Sequence, residues 1–397
     1  MKVIGGVLKA LFVILILMLV GGLIAGAVML ARNGCPHIPQ TLEGVAPTCT
    51  EPGLTEGEEC ILCGEILKEQ EEVPATGHEF GTDGCLNCGL NYNLPVQRIG
   101  TDGTEYCLSV NDFVYINFRF SLDEDEIEAG GYVYFQTTYS DVYRTERVLF
   151  SDMEKGYDGK YAAAFSLTPV YFANDMTVRL YNGDGSIASE TLTASAPEYC
   201  NAILTGDYPD GDKDMVRALL NYMGYAQVYK GDATEETAVN AGLYESGENP
   251  VSDVTDDMLT ALQEDDQNNN RDGVTGIKVS ETSLSLDSAA EVRYIAEFES
   301  GYGWDDFDVT VSDGFAFSAS GEILTVEGIS AYNLDKHYIV TIRNKADGTE
   351  MAFSNSALSI ASRYLALEDE DLTNLTKALY LYNAAAKEYF GAKSAEA

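Results

Sequence analysis

Cysteine and histidine are concentrated in one short stretch of this 397-residue chain, between residues 35 and 88. Two C-x-x-C pairs lie there, Cys60/Cys63 and Cys85/Cys88, at a separation close to that of four-cysteine zinc ribbons. Each pair is followed by a glycine, which lets the turn direct backbone amides at the sulfur atoms without a Cβ clash. This pattern predicts zinc binding.

The stretch offers enough candidate ligands for two four-coordinate zinc sites. They are Cys35, His37, Cys49, Cys60, Cys63, His78, Cys85 and Cys88. Large apolar residues are few, so a hydrophobic core cannot hold the stretch together, whereas structural zinc contributes about 10–16 kcal/mol in small zinc peptides. A catalytic zinc would need an open position beside a general base, and nothing in the sequence indicates one. We therefore predict structural zinc; three disulfides among the six cysteines are the alternative outside the cytoplasm.

The stretch also resembles a short unit that recurs, often in tandem, in surface proteins of anaerobic Gram-positive gut bacteria, beside β-sandwich modules. The resemblance rests on the runs VAPTCT (45–50), GLTEG (53–57), CILCG (60–64) and GH (77–78). It implies a first ligand set of His37, Cys49, Cys60 and Cys63. It implies a shortened second set of His78, Cys85 and Cys88, to which Cys35 would add the fourth ligand. The resemblance further implies a cell-surface location and metal binding.

An uncharged apolar segment from Ala10 to Ala31 precedes the cysteines. It is long enough to cross a bilayer as a helix. Because Lys2 and Lys9 precede it, the positive-inside rule places the short N-terminus in the cytoplasm and the rest outside. We predict that residues 1–33 are a single-pass anchor in a bacterial cell membrane with the body extracellular. A cleaved signal peptide is the alternative, since small residues such as those at 25–27 suit a cleavage site.

The chain is strongly acidic, with 64 acidic and 24 basic side chains and a formal net charge of −40. Nucleic acid binding needs lysine and arginine to neutralise phosphates, so this composition excludes nucleic acid as a partner. Electrostatic docking to an anionic lipid surface is excluded for the same reason. The charge is typical of a protein that stays soluble in an exposed setting.

The body that follows has the pattern of short β-strands rich in Tyr, Val and Phe. The clearest runs are 107–120, 131–140, 160–167 and 176–181. A helix follows, because apolar residues then recur at a 4-3-4-3 spacing. These residues are Met215, Leu219, Tyr222, Ala226 and Tyr229, with Gly231 placed to end the helix.

The same pattern recurs about 160 residues later, which indicates an internal duplication. Residues 159–181 align without gaps on 321–343, and the Asp-Gly pair at 184–185 aligns on the one at 347–348. A second stripe consists of Leu375, Leu379, Tyr382, Ala386 and Tyr389, and Gly391 is predicted to end it. The alignment also pairs the two helices residue by residue at an offset of 160.

The predicted fold is mainly β: an N-terminal transmembrane helix, a small zinc-ribbon-like module and two duplicated β-sandwich domains, each closed by a C-terminal helix. Each closing helix is expected to shield an edge or face of its sheet. The predicted ranges are 34–93 for the Cys/His module, 104–231 for copy 1, 232–276 for a linker and 277–392 for copy 2. Cys107 and Cys200 in copy 1 are read either as a disulfide or as two buried free thiols.

Motifs of catalysis are absent from the sequence. It contains no G-x-S-x-G, no phosphate-binding glycine loop and no H-E-x-x-H, and His337 in the body has no nucleophile motif nearby. In so acidic a chain, neighbouring carboxylates carry no information about a glycosidase pair. The sequence therefore predicts a non-enzymatic surface protein whose two modules bind a protein or carbohydrate ligand or act as spacers. A secreted hydrolase of glycan or cell wall is the alternative.

Overall fold

The computed structural model describes residues 16–20, 35–47, 52–74, 80–81, 84–85, 93–101, 103–111, 113–139, 142–155, 159–244, 250–266, 273–286 and 290–396. The chain divides into two compact units, Met1–His78 and Glu79–Ala397. Most of the predicted anchor lies outside the described residues, and its residues 16–20 are helical. Within the described ranges, no helix is both long and apolar enough to cross a membrane.

The first unit is built from short antiparallel strands. They are β1 (Pro39–Leu42), β2 (Gly53–Leu54), β3 (Gly57–Cys60), β4 (Ile66–Lys68) and β5 (Glu72–Val73). Strands β1, β3 and β4 form one sheet in that order, and β2 pairs with β5. In the register of β1 and β3, Pro39 lies opposite Cys60. The end of β3 is therefore held beside the residues that precede β1.

The second unit begins with a short hairpin and continues into the first copy of the predicted repeat. Its strands are β6 (Phe80–Gly81), β7 (Gly84–Cys85), β8 (Gln97–Arg98), β9 (Glu105–Val110), β10 (Val114–Phe120), β11 (Gly131–Tyr139), β12 (Val142–Leu149), β13 (Glu154–Lys155), β14 (Tyr161–Leu167), β15 (Met176–Asn182) and β16 (Leu192–Ala194). Its helices are α1 (Glu124–Ala129), α2 (Pro169–Phe172), α3 (Ala196–Thr205) and α4 (Asp210–Lys230), with a 3₁₀ turn at Phe150–Asp152.

The strands of the first copy form two antiparallel sheets, β13-β14-β10-β9-β8 and β12-β11-β15-β16. Every second residue of β10 is buried, which is the pattern of a strand with one face on a core. The rings of Phe118 in β10 and Phe135 in β11 lie 5.8 Å apart between centroids. The two sheets therefore face each other across a shared aromatic core.

The rest of the second unit contains the segment predicted as a linker and the second copy. Its helices are α5 (Ala241–Tyr244), α6 (Asp256–Ala261), α7 (Ala357–Ser362) and α8 (Glu370–Glu396), with 3₁₀ turns at Pro250–Asp253, Trp304–Asp306, Ala331–Asn333 and Arg363–Leu367. Its strands are β17 (Ile277–Ser285), β18 (Ala290–Phe298), β19 (Phe307–Val311), β20 (Ala316–Ser320), β21 (Ile323–Ile329), β22 (Tyr338–Asn344) and β23 (Glu350–Asn355).

The second copy also has two antiparallel sheets, β17-β18-β21-β20 and β19-β22-β23. This is the strand order of constant-type immunoglobulin sandwiches. Tyr294 in β18 joins the sheets, because its hydroxyl lies 3.0 Å from that of Tyr338 in β22 and its ring packs against Phe353 in β23. The first copy differs in two ways. Its β12 pairs with β11, whereas β20 of the second copy pairs with β21, and it adds the short edge strands β8 and β13. The prediction of a mainly β chain with antiparallel sheets is confirmed.

The repeat predicted from sequence holds for individual elements. Strands β14 and β21 start and end at aligned residues, and so do β15 and β22. The turns that follow also match, because Asp184 accepts a hydrogen bond from the Ser186 amide (2.8 Å) and Asp347 accepts one from the Thr349 amide (2.9 Å). The Ser186 hydroxyl and amide lower the pKa of Asp184, and the Thr349 amide and hydroxyl lower the pKa of Asp347.

Helices α4 and α8 pack mainly against each other, a pairing that the prediction of one helix on each sheet did not include. Tyr222 of α4 and Tyr382 of α8, which are aligned positions, stack with ring centroids 5.0 Å apart. Helix α4 ends as predicted at Gly231, in the left-handed conformation with φ 74°. The predicted end of α8 at Gly391 is wrong: the helix continues to Glu396, since the residues after Gly391 include strong helix formers.

The segment 232–276, predicted as a linker, contributes buried residues to the second unit. Val251, Val254 and Leu259 are buried, and Asn240 is 2% exposed. The segment also contains the short helix α6, whose first turn is capped by the Thr255 side chain. Cys107 and Cys200 are both buried and carry free thiols, which is the second of the two sequence-based alternatives.

The packing of Asn240 against α4 predicts opposite effects for two glycine-to-alanine substitutions. A Cβ at Gly224 would lie 1.9 Å from the Asn240 Oδ1, whereas one at Gly391 would have nothing within 4 Å. We expect Gly224→Ala to lower the free energy of unfolding by about 1–3 kcal/mol through overpacking. Gly391→Ala should raise it by up to about 1 kcal/mol through helix propensity. Urea unfolding of both variants checks this, and a neutral Gly224→Ala would contradict the packing.

Candidate metal centre

The pairing of β1 with β3 and one further backbone hydrogen bond bring the residues before β1 to the turn after β3. The antiparallel pairing of β1 with β3 continues beyond the strands, because the Ile61 amide donates to the Ile38 carbonyl at 3.0 Å. Cys35 and His37 therefore lie beside the turn that carries Cys60 and Cys63. The small sheet, and not the turn alone, positions the group.

The turn of the first C-x-x-C pair is closed by its own backbone. The Gly64 amide donates to the Cys60 carbonyl and the Cys60 amide donates to the Glu65 carbonyl, both at 2.8 Å. Gly64 has φ 72°, a left-handed conformation that favours glycine, and a Cβ there would meet nothing within 4 Å. The glycine that sequence analysis singled out is thus required by the turn conformation.

Four side chains converge at this point: Cys35, His37, Cys60 and Cys63. Their ligand atoms all lie within 4.8 Å of one another. The Cys35 and Cys60 sulfur atoms are 3.2 Å apart, and the Cys63 sulfur is 3.8 Å from His37 Nδ1. Three sulfur ligands and one nitrogen ligand around one zinc ion would lie about 3.5–3.8 Å apart, given Zn–S and Zn–N bonds of about 2.3 and 2.0 Å, so both distances are near those of a common metal ion. The spacing therefore suits a single four-coordinate metal ion.

The three thiols of this group are free, and their surroundings differ. Burial acts to raise the pKa of Cys60, but hydrogen bonds from the Cys35 thiol and from the Leu62 and Cys63 amides outweigh it and lower that pKa to about 6. For Cys35, burial and the neighbouring Cys60 and Cys63 raise the pKa to about 11. The Leu62 and Cys63 amides thus donate hydrogen bonds to the Cys60 sulfur. Such amide-to-sulfur bonds are what the glycine after the pair was predicted to allow.

The group of four side chains has a buried side and an exposed side. Cys60 is 1% exposed, whereas Cys63 and His37 reach solvent. Glu65, which sequence analysis did not single out, places a carboxylate oxygen 3.5 Å from His37 Nδ1 and adds negative charge at the exposed side. Three sulfur ligands and one imidazole are a donor set that can hold a soft or borderline metal ion.

The other predicted ligands lie at or beyond the limits of the described residues. Cys49, His78 and Cys88 fall outside them, and Cys85 is described only as the last residue of β7. The resemblance assigned Cys49 to the first set and Cys35 to the second. In the structure Cys35 lies with His37, Cys60 and Cys63. A second metal site therefore stays a prediction.

A buried ion cluster in the second unit was also not predicted. Asp266, whose side chain is 5% exposed, has one carboxylate oxygen 3.1 Å from His337 Nε2 and accepts a hydrogen bond from Arg363 on the other. Burial acts against ionisation, but these two side chains, with Ser359 and Asn355, lower the Asp266 pKa to about 2. His337 thus has a partner that links the 232–276 segment to the second copy.

Comparison of the chain with protein-family models, with curated proteins and with solved structures found no significant match.

Proposed function

We propose that this chain is a membrane-anchored extracellular protein without enzymatic activity, in which Cys35, His37, Cys60 and Cys63 bind a structural zinc ion. The two β-sandwich modules of the body then have one of two roles. They bind a protein or carbohydrate ligand, or they act as spacers. The anchor is the apolar segment Ala10–Ala31.

The convergence of three cysteines and one histidine carries this proposal. Cys₃His is a donor set of structural zinc sites, in which all four positions are filled by the protein. Such a closed set leaves no position for a water or substrate, so the metal would stabilise the fold and would not perform chemistry. The short strands around it suit this role, because strands of two to four residues form no large core of their own.

The carboxyl groups of the body with shifted pKa values have structural roles. Three aspartates in the described part of the chain have clearly shifted pKa values, and all three shift downward: Asp184, Asp266 and Asp347. The general acid of a glycosidase needs a raised pKa so that it is protonated near neutral pH. Each of the three accepts hydrogen bonds that hold it ionised in a turn or an ion cluster.

Cobalt substitution tests the ligand set without relying on activity. Full-length protein refolded with Co²⁺ is expected to show the strong visible d–d bands of a tetrahedral site and the near-ultraviolet charge-transfer bands of cobalt thiolate. Both should diminish in Cys63→Ser and persist in Leu62→Ser, since Leu62 lies between the ligands but is exposed. Weak bands typical of an octahedral site would contradict the proposal.

The membrane anchor has a separate test. Intact cells that express the full chain are treated with a protease that cannot enter them. We expect the body to be released and the N-terminal segment to stay with the membrane fraction. If the body were instead recovered in the medium without protease treatment and without the N-terminal segment, that segment would be a cleaved signal peptide.

A further inference from the structure

A cavity of about 440 Å³ opens in the second unit beside the last turn of α4 and the first turns of α8. Six leucines form its apolar wall: Leu284, Leu286, Leu367, Leu372, Leu375 and Leu379. Its volume lies within the range of small-molecule sites, about 300–1,000 Å³. Leu367 is 65% exposed, so a ligand in the cavity would remove apolar surface from water.

The charge of the cavity wall is opposite to that of the chain. Its charged residues, among those described, are Lys230 from α4 and Arg293 from β18, with no carboxylate. In the whole sequence acidic residues outnumber basic ones 64 to 24, so a wall with basic residues alone differs from the average of the chain. Glu291 holds Arg293 by one ion pair, Nη2 to Oε2 at 2.8 Å. That pair occupies one of the five N–H groups of the guanidinium.

The internal repeat explains why this end of the helix pair is open. Tyr229 at the cavity is aligned with Tyr389 at the opposite end of the pair. Tyr389 is 7% exposed because it packs inward and donates a hydrogen bond to Asp212 at 2.6 Å. The residue aligned with Asp212 is Leu372, which has no acceptor for a hydroxyl group. Tyr229 is correspondingly 44% exposed.

A second aligned pair has the same consequence. Phe390 is fully buried and packs edge-on against Tyr389, so it helps to fill the closed end. Its counterpart at the cavity is Lys230, an exposed cation. Two differences between the copies thus leave an apolar space at this end of the helix pair and place a positive charge beside it.

We propose that this cavity binds a small amphiphile with an apolar chain and an anionic head group, of the fatty-acid class. The leucines would take the chain, and Lys230 and Arg293 would take the head group. The volume of the cavity suits a small molecule, its leucines suit an apolar chain, and its two cations suit a negatively charged group.

Calorimetric titration of the full chain tests the proposal, with dodecanoate as the probe and dodecyltrimethylammonium as a probe of equal length and opposite charge. Both are used below their micelle concentrations. We expect one dodecanoate site per chain and at least tenfold weaker binding of the cationic probe. Absence of dodecanoate binding to folded protein, or equal affinity for both probes, would overturn the proposal.

Variants locate the site on the molecule. The double variant K230Q/R293Q removes the charges of an exposed lysine and a half-buried arginine and should weaken dodecanoate binding about tenfold or more. R217Q is the matched control, because Arg217 is a partly exposed cation on the same helix but outside the cavity, and its affinity should stay unchanged. Ser285→Trp, which fills the cavity from its rim, should abolish binding of both probes. Unchanged binding in either cavity variant would place the ligand elsewhere and overturn the proposal.

Discussion

Replacement of Cys60 by serine is expected to release the metal ion and unfold the first unit while leaving the second unit folded. Cys60 is the most buried of the four converging side chains and closes the turn through its own amide and carbonyl. Structural zinc supplies about 10–16 kcal/mol in small zinc domains, more than the stability of most domains, so its loss should be decisive. Hydrogen exchange by mass spectrometry should show lost amide protection in β1, β3 and β4, with protection in β9 and β10 unchanged.

Leu62→Ser is the matched control for this experiment. Leu62 lies between the two ligands of the turn and is 51% exposed, so its replacement removes little packing and no ligand. Protection in β1, β3 and β4 should therefore stay at the level of the unsubstituted chain. If Cys60→Ser kept the same protection as Leu62→Ser, the strands would be stable without the metal and the ion would have no structural role.

Replacement of Asp266 by asparagine should lower the free energy of unfolding of the second unit by about 3 kcal/mol, the order found when one partner of a buried ion pair is removed. The carboxylate is 5% exposed and faces both His337 and Arg363. Its loss leaves these two side chains without the charge that they surround. Urea unfolding followed by the fluorescence of Trp304, the single tryptophan, reports on the second copy directly.

The same substitution has a predictable dependence on pH. The Asp266 pKa is lowered to about 2, so its contribution is complete above the unfolded-state value of about 3.9 and is lost as pH falls toward 2. The stability difference between the unsubstituted chain and Asp266→Asn should thus be constant near neutral pH and shrink below about pH 4. Asp214→Asn, at an exposed ion pair, should cost at most about 1 kcal/mol at any pH. A constant difference down to pH 2 would contradict the assigned role of Asp266.

The regular elements of the body could be predicted because their patterns are local. The 4-3-4-3 stripe of Tyr222 and its neighbours and the left-handed Gly231 specify α4 without reference to the rest of the chain. The repeat also follows from sequence, since the gap-free alignment already contains the equal lengths of β14 and β21. The end of α8 was not predictable from Gly391 alone, because glycine ends a helix only when it adopts the left-handed conformation.

Contacts between distant segments could not be predicted from spacing. Cys35 precedes β1, and only the pairing of β1 with β3 brings it to Cys60, so its membership of the group depends on the sheet. Asp266 meets His337 across 71 positions of sequence, and no local signal marks that pair. The stacking of Tyr222 on Tyr382 joins residues of different copies, so the pattern within either copy does not predict it.

Metal content in a chain reduced to one candidate site tests the structural assignment most directly. The variant H78A/C85S/C88S removes the predicted second set, and its zinc is measured by elemental analysis after purification without added metal. We expect one zinc ion per chain, lost on further replacement of Cys35 by serine and retained on replacement of Cys49, because Cys35 lies with His37, Cys60 and Cys63. A chain without zinc, or one that loses it with Cys49→Ser and keeps it with Cys35→Ser, would contradict the account.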